Sequence, residues 1–168
     1  MSDAPPTNTF VARGGAWVLV QFALMIAVIV LGLVLPGDWT RWPVIVAGLV
    51  LLVAGGGFGI AAITVLGRNR TPFPQPLEGS ELVQRGIYAR VRHPLYTSVM
   101  LVSLGWALLW QSGPAFVAAL ALLPFFHAKA RREEQWLSGQ FPGYPDYARR
   151  VPRFLPRLGP TTNLVCNF

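Results

Sequence analysis

Apolar residues in this chain fall into long blocks rather than into the spaced stripes of a water-soluble helix or strand. The first block covers about 16–35 and contains no charged residue. At 1.5 Å rise per residue, roughly 20 residues cross the ~30 Å hydrocarbon core of a bilayer, so the pattern predicts a first transmembrane helix over 16–35 behind a cytoplasmic tail, 1–15. A cleavable signal peptide would be shorter and end in an A-x-A-like site. Here LPGDWTRWP follows, a turn with an interfacial tryptophan pair, Trp39 and Trp42, so the helix is expected to stay in the mature protein.

A second block, 43–66, predicts a second span of similar length. Its AGGGFG run is not a dinucleotide-binding loop, because the third glycine of such a fingerprint would fall on Ile60 and the run lies inside a helix-length apolar stretch, not after a strand. Gly55 and Gly59 fit small-xxx-small packing against another helix, within the chain or between copies. Polar residues and turn formers then fill 67–94, an aqueous loop containing RTPFPQPLEGS. Two shorter apolar runs follow, 95–110 and 115–128, separated by the breaker QSGP. As helices the uninterrupted apolar stretches reach only ~24 and ~18 Å, which predicts a hairpin whose polar ends form a recess below the membrane surface. Pro124 is expected to kink the second of these helices. The helix formers of HAKARREEQWLSGQF carry it into water, as a cytoplasmic helix and tail over 129–168. The expected fold class is an all-α integral membrane protein, one membrane domain of about four transmembrane helices with a short C-terminal helical hairpin and a cytoplasmic C-terminal extension.

Composition agrees with this: 53% of the 168 residues are hydrophobic, 12% are charged, and the mean hydropathy is +0.47, outside the usual range of soluble domains. The charge distribution sets orientation. The turn between the first two spans holds only Arg41 and the hairpin turn holds no basic residue, whereas five arginines lie in 67–94 and seven Lys or Arg follow Phe126. The loaded side is cytoplasmic by the positive-inside rule, which places both termini there after four crossings. The net charge of +7 follows the membrane segments, and no nucleic-acid recognition module accompanies it. Thirteen arginines against one lysine, with many Gly, Ala and Pro, point to a bacterial source and hence to a bacterial inner membrane. The lone cysteine, Cys166, excludes an internal disulfide and a CxxC metal site, and with two residues after it the ending VCNF is too short for a prenylation box.

Candidate chemistry falls on the cytoplasmic face in two clusters, which the hairpin would bring together. The first holds Tyr88, Arg90, Arg92, His93, Pro94 and Tyr96, and the second His127, Lys129, Arg131, Arg132, Glu133 and Glu134. Pro94 suits the first turn of a helix and leaves orphan backbone N–H groups near His93, an end that attracts an anion. Taken singly, the arginines obey the positive-inside rule and the tyrosines and His127 read as interfacial residues. The adjacent acids Glu133 and Glu134 are harder to place beside an anionic lipid surface unless cations offset them.

Together, SELV, GIYARVRHPLYTS and the later KARREEQWLSGQFPGYPDYARRVPRFLP resemble the isoprenylcysteine carboxyl methyltransferase and phospholipid N-methyltransferase family, over roughly 80–156. The ordered combination of Y-x-x-x-x-H-P-x-Y, a glutamate pair and Y-x-x-Y before V-P carries the resemblance, to which the first two spans add only hydrophobicity. It implies an integral-membrane methyltransferase using S-adenosylmethionine, with no metal and without a Rossmann domain. Carried over by position, Ser80, Glu81, Leu82, Val83, Tyr88, His93, Pro94, Leu95 and Tyr96 would line the cofactor pocket, with Glu133 and Glu134 facing them, and Arg92 would join His93 to Tyr96 at its mouth. Lys129 and Glu133 would serve the reaction. Family members can place an arginine one helical turn before the glutamate, near the acceptor. Lys129 stands there, and an ammonium does not reproduce the bidentate guanidinium fork.

The implied acceptor is a lipophilic molecule dissolved in the membrane, a carboxylate, thiol or amine, with a phospholipid headgroup as the alternative. The resemblance extends to certain membrane sterol reductases, so an NADPH-dependent reductase is a competing enzyme reading, and a non-catalytic four-helix membrane scaffold is a third. Cofactor binding separates the three. The charge asymmetry makes its own prediction: cysteines introduced near Asp38 and Gln111 should be labelled by impermeant reagents from outside, and those at Gly79 and Gly159 from the cytoplasm. Cytoplasmic labelling of the hairpin turn would replace two spans by a re-entrant loop.

Overall fold

The computed structural model describes residues 14–38, 41–67, 73, 79 and 81–156, and among them there is no β-strand. Five α-helices follow one another: α1 (Gly15–Val34), α2 (Trp42–Leu66), α3 (Pro94–Leu109), α4 (Gly113–Gln140) and α5 (Tyr144–Arg150), with a 3₁₀ turn at Gly86–Ala89 before α3. The chain is an all-helical integral membrane protein in which α1, α2 and α4 are each long and apolar enough to cross a bilayer.

Each predicted block became a helix for the reasons read from the sequence. Arg41 precedes α2 in extended backbone with Pro43 in the first turn, and Pro94 opens α3 in the same way, both suited to positions whose N–H would be unpaired. Ser112 starts α4: its hydroxyl accepts from the Ala115 amide at 3.3 Å and donates to the Leu31 carbonyl of α1 at 3.2 Å. The Gly37 amide donates to the Trp110 carbonyl at 3.1 Å, so the α1–α2 and α3–α4 turns are tied at one end of the bundle. Helix α4 is longer than its apolar stretch. It runs without a break for 28 residues, about 42 Å, through Pro124 and on until Phe141, because 129–140 contains good helix formers and no breaker. Of the hairpin pair only α3, with 16 residues, is short.

Helix α3 is the central element, with no residue exposed along its length. It packs most extensively on α2, and α4 rests on α1 and α3. Val28, Met100, Ala107, Ala115, Ala119, Leu122 and Phe126 form the core where α1, α3 and α4 meet. The glycines of α2 make its contact with α3 close. A β-carbon on Gly48 would lie 2.9 Å from the Gly105 carbonyl oxygen and from the Leu109 amide nitrogen, and one on Gly55 would lie 2.8 Å from Val102. The Ser98 hydroxyl donates to the Gly55 carbonyl across this contact at 2.7 Å. Gly59 meets Ser98 as well, so the small-residue stripe packs within the chain.

Two labelling positions are affected. Gln111 is buried and adopts a left-handed φ of 52°, so the exposed Gly113 is the better probe site on that turn; Gly159 and Trp39 lie outside the described residues. The packing also predicts that Gly48→Ala, which sets a methyl against backbone atoms, lowers stability by about 1–3 kcal/mol. Gly57→Ala, which meets nothing within 4 Å, should leave it unchanged or slightly raised, as thermal unfolding in detergent would report.

Candidate active site

The two sequence clusters meet where α3 begins and α4 approaches its end. His93 precedes α3 and Tyr96 lies in its first turn, while Glu133 and Glu134 are neighbours on α4. The His93 Nε2 lies 3.0 Å from Glu134 Oε1, and the Tyr96 hydroxyl donates to Glu133 Oε2 at 2.6 Å. Their rings stack almost parallel, 3° apart with centroids at 5.2 Å. Phe126 of α4 stacks on the far side of Tyr96 at 4.7 Å, giving a layered aromatic wall between the two helices.

Glu134 is the most heavily engaged group. Arg153 grips it from two nitrogens, Nε at 2.9 Å from Oε1 and Nη2 at 2.5 Å from Oε2, and Arg92 Nη1 stands 3.4 Å from Oε1. The carboxylate holds the Arg153 guanidinium even more firmly protonated than usual. Arg153 arrives because residues 152–154 run beside the start of α3: the Arg92 and His93 amides donate to the Pro152 and Arg153 carbonyls at 3.0 Å each, and the Thr97 hydroxyl donates to the Phe154 carbonyl at 2.8 Å. The amides of Arg92 and His93, which lead into α3, are therefore satisfied by the chain itself. Glu133 is less committed. Its side chain keeps 25% of its surface exposed, and besides Tyr96 its near neighbour is His93 Nδ1 at 3.6 Å.

Lys129, one turn before Glu133, is fully buried. Its ammonium donates to Gln21 Oε1 of α1 at 2.5 Å and lies 5.5 Å from the centroid of the Tyr96 ring. Tyr88 is buried, and its carbonyl accepts from the Tyr147 hydroxyl of α5 at 2.6 Å; burial raises both phenols above their ordinary range. Leu82 packs on the buried cluster of Tyr144, Tyr147 and Val151. Glu81 and Val83 line a cleft of about 690 Å³ at the end of α2, beside Thr64 and Gly67. Pro94 is buried and Leu95 half-buried at the start of α3, His127 is exposed beside Arg153, and Ser80 and Cys166 lie outside the described residues.

Sequence reasoning missed Arg153 and Gln21. Arg153 looked like one more cytoplasmic arginine, although its place in VPRFLP, within the stretch that carried the resemblance, was a signal. Gln21 is the one carboxamide in the first apolar block, and a strongly polar side chain at that depth needs a partner. Helix α1 thus brings a polar side chain to Lys129.

A family model described as phospholipid methyltransferase matches residues 43–143. The nickel-cobalt-cadmium resistance protein NccN of Alcaligenes xylosoxydans xylosoxydans is 34% identical over 91% of this chain and 70% of its own length. The cobalt-zinc-cadmium resistance protein CzcN of Cupriavidus metallidurans is 35% identical over 64% of this chain and 50% of its own length. Protein-S-isoprenylcysteine O-methyltransferase B of Arabidopsis thaliana is 32% identical over 72% of this chain and 64% of its own length. The matched region includes α2, α3, α4 and both halves of the His93–Glu134 and Tyr96–Glu133 pairs. The chain thus belongs to the phospholipid methyltransferase family of membrane methyltransferases.

Proposed function

We propose that this protein transfers a methyl group from S-adenosylmethionine to a lipophilic, anionic acceptor dissolved in the bilayer. The carrying observation is the junction of α3 and α4, where His93 meets Glu134 and Tyr96 meets Glu133, beside an Arg92 Nε that is buried and has no hydrogen-bond partner. S-adenosylmethionine carries a carboxylate and two positive centres, so it needs a cation for the first and anionic groups for the others. The residues fit: Glu134 is already matched by Arg153, Glu133 retains exposed surface for a positive ligand group, and Arg92 has donor capacity left. Arg92, His93, Pro94, Leu95, Tyr96 and Glu133 would hold the cofactor, with Glu134 fixing Arg92 and His93 behind them and Tyr88 and the Ser80, Glu81, Leu82, Val83 segment at its edge.

When bound, the cofactor supplies an electrophilic methyl group on positively charged sulfur. Glu133 orients that positive end, and its own geometry is fixed by the Tyr96 hydroxyl. The Tyr96–Phe126 stack excludes water from the junction, and positioning with water exclusion can supply much of the acceleration of an in-line displacement. Lys129, anchored by Gln21, sets a positive charge on the acceptor side. A carboxylate or thiolate is attracted by that charge and reacts without a general base, whereas an amine must first lose its proton. A phospholipid amine, the alternative supported by the family description, would bring a cation towards Lys129, which favours the anionic class.

The short α3, tied at its far end through the turns, leaves the site recessed at a depth that an acceptor chain reaches sideways from lipid. The arginine asymmetry supports four crossings, both termini and the site on the cytoplasmic side of a bacterial inner membrane, and the whole chain as one membrane domain. Among the described residues no group of three His, Cys, Asp or Glu comes together that could hold a metal ion.

Glu133→Gln keeps the acceptor for the Tyr96 hydroxyl but removes the charge, and it should weaken S-adenosylmethionine binding by about tenfold or more in calorimetric titration of the purified, monodisperse protein. Unchanged affinity would remove Glu133 from the site. Acceptor entry from lipid predicts a steep dependence on chain length, since each buried methylene is worth about 0.8 kcal/mol. Methyl transfer to a homologous series of carboxylic acids in nanodiscs, corrected for partitioning, should rise strongly with length; equal rates for short water-soluble and long acids would point to a cytosolic acceptor.

A further inference from the structure

Tyr144 and Tyr147 stand three residues apart on α5, both almost fully buried, at 2% and 4% exposure, with rings in edge contact at 5.8 Å. They differ in one respect. The Tyr147 hydroxyl donates to the Tyr88 carbonyl, whereas the Tyr144 hydroxyl is buried without a hydrogen-bond partner. Four side-chain polar atoms share that condition among the described residues: Tyr144 Oη, Arg92 Nε, Trp106 Nε1 and Gln111 Oε1. Trp106 and Gln111 belong to the turn end of the bundle. Tyr144 and Arg92 belong to the site end.

Buried polar groups in folded proteins are nearly always paired, and one left unpaired costs the free energy of its lost hydration. Two such donors lie at the end of the molecule where the clusters converge, and one bound anion would satisfy both. The two are electrostatically coupled: burial raises the Tyr144 phenol first, Glu134 raises it further, and Arg92 opposes the shift. The phenol therefore stays protonated and able to donate. Charge balance points the same way. Glu134 is shared by two guanidinium groups, Arg153 in close bidentate contact and Arg92 at 3.4 Å through a single nitrogen, so one positive charge is left over, with its Nε edge unpaired.

We propose that the Tyr144 hydroxyl and Arg92 Nε together bind the carboxylate of the methyl donor's amino-acid end. This rests on the methyl-donor reading above and adds to it the residue from α5. Glu134 with Arg153 then forms the closed internal ion pair, Arg92 with Tyr144 takes the ligand's anion, and Glu133 takes its cation. The segment that follows α4 is thereby part of the binding site and not only a surface tail.

The test uses Tyr144→Phe in the full chain, with S-adenosylhomocysteine, which has the carboxylate, and 5′-methylthioadenosine, which lacks the whole amino-acid end. The variant should lose affinity for S-adenosylhomocysteine by about tenfold and change methylthioadenosine binding by less than about twofold. Its ligand-free melting temperature should be unchanged or higher, because the hydroxyl removed had no partner to lose. Binding of S-adenosylhomocysteine but not methylthioadenosine by the unaltered protein also supports the assignment, since it makes the amino-acid end the main anchor. Unchanged S-adenosylhomocysteine affinity in the variant overturns it, as does a lowered melting temperature with equal loss of both ligands, which would mark a packing role. Failure of the unaltered protein to bind either nucleoside overturns the methyl-donor reading itself, a result distinct from failure of the variant alone.

Discussion

A carboxylate withdrawn from water at the end of a membrane helix must be neutralised, and Glu134 meets that requirement by drawing three separate parts of the chain to one point. Arg92 and His93 come from the approach to α3, Arg153 comes from beyond α5, and Glu134 itself rides on α4. Removing any one partner leaves charge uncompensated in a poorly hydrated place, where the penalty is much larger than the net benefit of the intact pair. The neighbouring contacts follow from this convergence. Once Arg153 is fixed, the 152–154 backbone lies along the start of α3, and Phe154 comes within 6.1 Å of the His93 ring.

The hydrocarbon part of the molecule serves this junction by keeping α3 in place. Helix α2 approaches α3 through glycine and serine, so backbone meets backbone and the Ser98 hydroxyl reaches a main-chain carbonyl. Such close packing replaces the hydrophobic effect, which gives helices no reason to associate inside lipid. From the other side α1 and α4 close over the Met100–Phe126 core. A central helix held on three sides keeps its first turn in place, and His93 and Tyr96 meet the α4 carboxylates there.

Much of this was legible in the amino-acid order. The blocks of apolar residues located every long helix to within a residue or two at its start, because each is bounded by polar or turn-forming stretches and α2, α3 and α4 carry a proline in the first turn. The two chemical clusters were recognisable by their order and spacing. The length of α4 was harder to read, since hydropathy falls after Phe126 while helix propensity does not. The grip of Arg153 on Glu134 was not legible, because nothing in an arginine's local context says which of several distant acids it will meet. Gln21 was passed over for the opposite reason: a single polar residue hardly alters an otherwise apolar average, yet in lipid its partner decides which face of α1 turns inward. Tyr144 and Tyr147 looked equivalent as a Y-x-x-Y pair, and only the folded chain distinguishes the hydroxyl that is bonded from the one that is not.

The contact between Gln21 and Lys129 has an evolutionary consequence. The shared family region begins at residue 43, after α1 has ended, so the helix that supplies Gln21 lies outside the part by which the family is recognised. Substitution on the inward face of α1 can therefore change the surroundings of Lys129 while the His93–Glu134 and Tyr96–Glu133 pairs, built from α3, α4 and the approach to α3, keep their own contacts. The environment of that buried ammonium can thus differ between relatives whose family regions are nearly alike.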